Sequence, residues 1–219
     1  MRRKRIIAAV GGVVAVLLLV VGVLWAFPVL RVSGYEITGN THSAEESVID
    51  ASGVATGANL VRVDAGQAAR GVAELPWVRS ATVSRRWPST LAIEVTERRA
   101  LMYSSEDDGD HLVDTEGRPF VIDVPPESAV EVTGGQRQDP ETLAGVADAL
   151  TALPEHVRAL VATVEVPGEY EMTLRLHDGR TIYWGASDAN HDKALAVQTV
   201  LQREGEHWNV SNPSMVTVR

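Results

Sequence analysis

Apolar and polar positions change rhythm several times along this chain. Ile6 to Phe27 carries no charged residue. Those 22 residues span roughly 33 Å as a helix, enough to cross a bilayer core of about 30 Å. From Tyr35 the pattern shortens. Tyr35-Glu36-Ile37-Thr38-Gly39-Asn40 reads as a strand and turn. Ser43-Ala44-Glu45-Glu46 has the form of a capping box, with the Ser43 side chain taking the Glu46 N–H. Val48, Ile49 and Val54 then form the apolar side of a short helix stopped at Gly53. Asp64, with Gln67 three positions on, starts a second helix. Ala68, Val72 and Leu75 share its face, and Pro76 ends it. Alternation follows. Ala81 and Val83 point one way, and Thr82, Ser84 and Arg86 the other. Leu91, Ile93 and Val95 point one way, and Ala92, Glu94 and Thr96 the other. Pro88 lacks an N–H, so Arg86 to Thr90 is a hairpin loop. The predicted order is β-α-α-β-β, with the two helices covering the sheet's apolar face.

Past Glu97-Arg98-Arg99, the pattern predicts a second α+β unit on a mostly antiparallel sheet. Leu101 to Tyr103 begins a strand, and Ser104 to Asp110 reads as an acidic hairpin tip. His111 to Phe120 reads as strand, turn, strand, and Val130 to Val132 as a short strand. Asp139-Pro140 is a helix start, followed by Leu143, Val146, Ala147 and Leu150 at helical spacing. Leu153-Pro154 breaks that helix, and Val157, Leu160 and Val161 make a shorter helical piece. Tyr170, Met172, Leu174 and Leu176 alternate as a strand. Asp178-Gly179 turns it into a return strand carrying Ile182 and Trp184. A last helix covers about Asn190 to Arg203, with Ala194, Val197, Val200 and Leu201 on its apolar side. Trp208 to Ser211 and Met215 to Val218 are extended.

Two stretches carry a family resemblance. Tyr35 to Asn40, Leu75-Pro76-Trp77-Val78-Arg79-Ser80-Ala81-Thr82-Val83 and Arg85-Arg86-Trp87-Pro88-Ser89-Thr90-Leu91 through Arg98 resemble a POTRA domain of the FtsQ/DivIB type. These are membrane-anchored bacterial cell-division proteins. Leu112-Val113-Asp114 with Gly117 and Phe120 is similar to the start of that family's second extracytoplasmic domain. The organisation then expected is a cytoplasmic tail at 1–5, a transmembrane helix at 6–27, a POTRA domain at 32–98 and an FtsQ-type β domain at 99–219.

Charge agrees with that topology. Arg2, Arg3, Lys4 and Arg5 precede the apolar run, and residues 1–27 hold no acid. Of the 20 Lys and Arg the other 16 face all 29 acids. The basic flank keeps the N-terminus cytoplasmic and leaves the bulk of the chain outside, a single-pass arrangement at the division septum. Trp25 and Phe27 stand where interfacial aromatics belong. A cleaved signal peptide is the competing reading, but its apolar region is about 7–15 residues, and Leu24 is too large to stand three residues before a cleavage point. The absence of cysteine rules out disulfides and thiolate metal sites. The acidic exterior argues against nucleic acid.

His42, His111, His156, His177, His191 and His207 show no metal-ligand spacing. Asp107, Asp108 and Asp110 lack the closing Glu of a calcium loop. Ser187 lacks the second glycine of a nucleophile elbow and reads as a turn residue or cap. Asp114 and Glu116 flank a turn, and Asn209-Val210-Ser211 is a sequon in form only. Trp77 reads as a core wedge; Trp87, at a loop tip, is a candidate partner anchor. The expectation is no catalytic residue, no metal and no cofactor.

What remains is surface that binds. A strand at a sheet edge can accept another protein's strand. The resemblance implies that the last strands receive FtsB, which pairs with FtsL. In this chain the candidate residues are Trp208, Asn209, Val210, Ser211, Met215, Val216, Thr217 and Val218, within the segment Trp208 to Arg219. Pro213 is expected to interrupt that strand. The resemblance further implies FtsW and a septal peptidoglycan synthase as partners, and the lipid bilayer is expected to be contacted through 6–27. The function expected is a non-enzymatic scaffold of the divisome. Outer-membrane protein assembly would require a barrel that this length does not hold, and a tethered envelope enzyme would require a constellation not found here.

Overall fold

Two alternating runs of β-branched and small residues, Val78–Arg86 and Thr90–Glu97, become neighbouring strands in the computed structural model, which describes residues 11–22 and 30–218. Within that range residues 11–22 are helical and exposed (α1). No helix among the described residues is long and apolar enough to cross a membrane. The expected span 6–27 falls partly outside the described residues, as do Arg2 to Arg5, Trp25, Phe27 and Arg219. The chain divides into two units between Glu97 and Arg98.

The first unit contains β1 (Gly34–Thr38), α2 (Glu45–Ser52), α3 (Ala65–Ala73), β2 (Val78–Arg86) and β3 (Thr90–Glu97), in sheet order β1-β3-β2. β1 runs parallel to β3, with Gly34 opposite Thr90, and β2 runs antiparallel to it. Val83, Leu91, Ile93 and Val95 pack against Val48 of α2 and Ala68 and Val72 of α3, joined by Val32, Leu60 and Val63. Asp64 caps α3 by accepting the Gln67 N–H at 2.9 Å. Gly53 ends α2 in the left-handed region.

The chain enters this unit under tight control. The Leu60 N–H donates to the Leu30 carbonyl, the Val32 N–H to Ala58, the Gly57 N–H to Val32, and the Ser33 N–H to Ser89, all within 2.7–2.9 Å. Three expectations need correction. Ser43 does not cap α2: Ala44 holds that position without a side-chain bond. The Ser43 N–H is already engaged with the Glu97 carboxylate at 2.9 Å. Ala92, placed on the outward face, is 2% exposed. It sits on the central strand between Glu36 and Ser84, where the Arg86–Glu36 ion pair at 2.7 Å joins the outer strands. Trp77 is half-buried and stacks on His42 at 3.9 Å, instead of wedging into the core.

The second unit holds β4 (Ala100–Glu106), β5 (Gly109–Asp114), β6 (Pro119–Ile122), β7 (Val130–Thr133), α4 (Pro140–Ala152), α5 (Glu155–Arg158), β8 (Val161–Gly168), β9 (Glu171–Leu176), β10 (Thr181–Gly185), α6 (Asn190–Val200), β11 (His207–Asn209) and β12 (Thr217–Val218). Among the described residues these strands make one mixed sheet in the order β12-β11-β10-β9-β8-β7-β4-β5-β6. Five of its pairings are antiparallel and three parallel. Parallel neighbours require a crossover. α4 and α5 supply it between β7 and β8, and α6 between β10 and β11. Leu143, Val146, Ala147 and Leu150 of α4 and Ala194, Val197 and Val200 of α6 join the strands in one core.

Here too the pattern reading is corrected. β4 and β5 extend to Glu106 and from Gly109, leaving only Asp107-Asp108 as the tip. Val161 opens strand β8 and is not helical. Register irregularities at Val161/Thr163 and Glu165/Gly168 break the alternation that would have marked that strand. Tyr170 lies outside β9 and is 65% exposed. Pro213 falls in the turn between β11 and β12, so it removes no ladder donor.

Candidate partner-binding edge

The end of the chain builds the sheet's last two strands. β11 lies between β10 and β12, so Trp208 and Asn209 are internal. Trp208 faces Ile182 on one side and Val218 on the other. Its ring is 6% exposed and belongs to the core, and Val210 is fully buried. Of the expected partner residues these two are structural. The Trp208 Nε1–H is buried without a hydrogen-bond partner, so the ring is held by shape. Gly205 shows how closely: at φ +153° an added Cβ would stand 2.6 Å from both Trp208 Cζ2 and Val218 Cγ2.

The turn between the strands is set by side chains that accept backbone N–H groups. Asn209 Oδ1 accepts the Ser211 N–H at 3.0 Å and the Ser211 hydroxyl at 2.7 Å. Asn212 Oδ1 accepts the Ser214 N–H at 3.1 Å. Ser211 and Met215 are exposed in this turn, and Val216 packs against the core.

β12 is the sheet's edge, and its outer side meets no further strand among the described residues. One row of side chains crosses the sheet on the core face: Val132, Val164, Leu174, Ile182, Trp208 and Val218. The first four are at most 1% exposed, Trp208 is 6% and Val218 is 49%. The apolar row thus continues to the edge and stops there half-covered. The opposite edge, β6, begins with Pro119, which cannot donate to a ladder.

The remaining candidates take structural places. Asp114, 4% exposed, accepts the N–H groups of Glu116 (2.8 Å) and Arg118 (3.0 Å) and a bond from Arg98 (2.6 Å). It shapes the turn in which Gly117 (φ +76°) approaches the Ala144 backbone. Ser187 donates its hydroxyl to the Gly145 carbonyl and accepts from Asn190. His111 bonds Asp108 at 2.8 Å across the acidic tip. No group of three or more His, Cys, Asp or Glu able to hold a metal ion occurs among the described residues. Trp87 is 58% exposed at the β2–β3 tip.

Two charged positions escaped the sequence reading. Lys193 is 1% exposed and donates to the Ala186 carbonyl and to Asp188. The hydrogen bond from Lys193 holds the Asp188 carboxyl below its ordinary range. Burial pushes the Glu97 carboxyl up, but bonds from the His42 ring and from the Ser43 and His42 N–H groups outweigh it and bring it down to about 2. A Lys at helical spacing and a Glu closing a strand carry no sequence signal of such burial.

A profile of the POTRA domain, FtsQ-type, matches residues 30–98, and one of cell division protein FtsQ/DivIB, C-terminal, matches residues 102–213. The chain is 46% identical over 220 residues to the cell division protein FtsQ of Corynebacterium glutamicum, covering 99% of each. It is 34% identical to the cell division protein FtsQ of Mycolicibacterium smegmatis, over 94% of this chain and 62% of that one. The major extracytoplasmic domain of the trans isomer of DivIB from Geobacillus stearothermophilus aligns with 50% of this chain and 98% of its own, at 18% identity and a TM-score of 0.38.

Proposed function

The chain belongs to the FtsQ/DivIB family of bacterial cell-division proteins, and from that membership we propose that it is a bitopic scaffold of the septum acting by contact. Residues 1–5 lie in the cytoplasm, 6–27 cross the membrane, and 32–98 and 99–219 act outside it. FtsB-like and FtsL-like membrane proteins are recruited by strand addition at β12. The half-covered Val218 at the end of an otherwise buried apolar row carries this reading. A strand laid beside β12 would extend the ladder and cover that row. Confinement to one membrane raises the effective concentration of partners that share it. FtsW and a septal peptidoglycan synthase would join through those partners.

The test is co-purification of FtsB-like and FtsL-like proteins with the detergent-extracted chain, intact or with Val218→Pro. Asn209 and Thr217 form the hydrogen-bonded pair of β11 and β12, so the Val218 N–H faces the open side, and proline there removes it while leaving the β11–β12 bonds in place. Loss of both partners from the variant supports the reading. Undiminished recovery, with the variant folded, overturns it.

A further inference from the structure

We propose that the β2–β3 hairpin tip is a second membrane contact, with Trp87 seated at the headgroup level of the bilayer that the anchor crosses. This rests on the reading of 6–27 as that anchor.

Three features converge. Trp87 is the one large hydrophobic side chain of residues 30–97 that is chiefly exposed. The tip lies where the chain enters the unit, because the Ser89 carbonyl accepts both the Ser33 N–H (2.8 Å) and the Gly34 N–H (3.4 Å). The connection there is short. Leu30 is already bonded to Leu60, and three steps from Phe27 to Leu30 reach at most about 11 Å. The headgroup layer is itself roughly 5–8 Å deep on each side, so the entry end of the unit is held within its reach.

Tryptophan suits that layer, with an apolar ring and one N–H donor. The surrounding charge suits it too. Arg31, Arg62 and Arg86 are exposed at this end, and Arg85 donates to the Leu60 and Val63 carbonyls, tying the hairpin to the adjoining loop. The acids nearby are engaged: Glu36 pairs with Arg86, and Asp64 caps α3. An anionic lipid surface therefore meets arginine first. A protein partner would call for a wider apolar patch than one indole.

The chain has no cysteine, so one introduced cysteine takes a fluorophore at a unique place. The full-length protein, in vesicles of phosphatidylcholine and phosphatidylglycerol, is labelled in separate preparations after Ser89→Cys, Thr41→Cys at the far end of the unit, and Val16→Cys in the anchor. The expected result is that headgroup-level nitroxide lipid quenches the label at position 89 roughly twofold more than that at 41, as interfacial seating requires. Adding Trp87→Ala removes the difference, and Trp87→Phe retains most of it. Equal quenching at 89 and 41, with the label at 16 quenched by deep nitroxide, overturns the tip contact and leaves the anchor standing. No quenching at 16 overturns the anchor and the tip contact together. If Trp87→Ala abolishes partner co-purification while the label at 89 stays as deep, the tip binds protein and the proposal is wrong.

Discussion

Asp114 and Glu97 are acids whose work is to accept hydrogen bonds. Removing the Asp114 acceptor leaves two N–H groups and Arg98 without their partner in a buried place. Asp114→Ala should therefore cost about 3 kcal/mol, and Asp114→Asn less, measured by urea unfolding. The spacing Leu112-Val113-Asp114 with Gly117 and Phe120 was visible in the sequence. The buried role of Asp114 was not, because burial depends on α4 lying across the turn. Glu97 predicts a pH effect with a definite sign. Its carboxyl lies at about 2 in the folded chain against an ordinary 4.5, so its contribution is complete above about 4.5 and is lost as pH falls towards about 2. Thermal melts between pH 5 and pH 2 should show a shallower loss of stability for Glu97→Gln than for the parent. Lys193 tests another point. Lys193→Met keeps the volume and removes the buried charge, and should be near neutral, whereas Lys193→Ala leaves a cavity costing about 2–3 kcal/mol in the same unfolding assay.

Elements were legible where periodicity was clean. α3, α4, β2 and β3 follow capping residues and alternation that need no tertiary context. β8 was missed because its irregular register interrupts alternation, although Val164 and Val166 are both buried. The terminal segment was read as extended, yet its division into an internal β11 and an outer β12 depends on the α6 crossover, which no local pattern encodes. Consequently Trp208 and Val210 belong to the core. Gly205→Val offers a test at this scale. Its Cβ would displace Trp208 and Val218 together, so FtsB-like binding should fall at least about tenfold, with a stability loss of about 1–3 kcal/mol. Titration of the purified variant and its melting curve measure the two effects.

For the whole molecule, the scaffold reading predicts that depletion produces filamentous or branched cells, seen by microscopy. Replacing residues 6–27 with an unrelated apolar span of equal length should restore septation. The two-unit plan was legible because each unit carries its own hydrophobic rhythm; the sheet order of the second was not, since a mixed sheet is ordered by crossovers between distant strands. The parallel pairing of β1 with β3 has a mechanical consequence. The chain arrives at the start of β1 and leaves from the end of β3, so a pull on the two ends of this unit draws these strands lengthwise past each other. All the rungs between them share such a load, and none opens before the rest. On the proposed tether, this unit would stay folded under the tension of a constricting envelope.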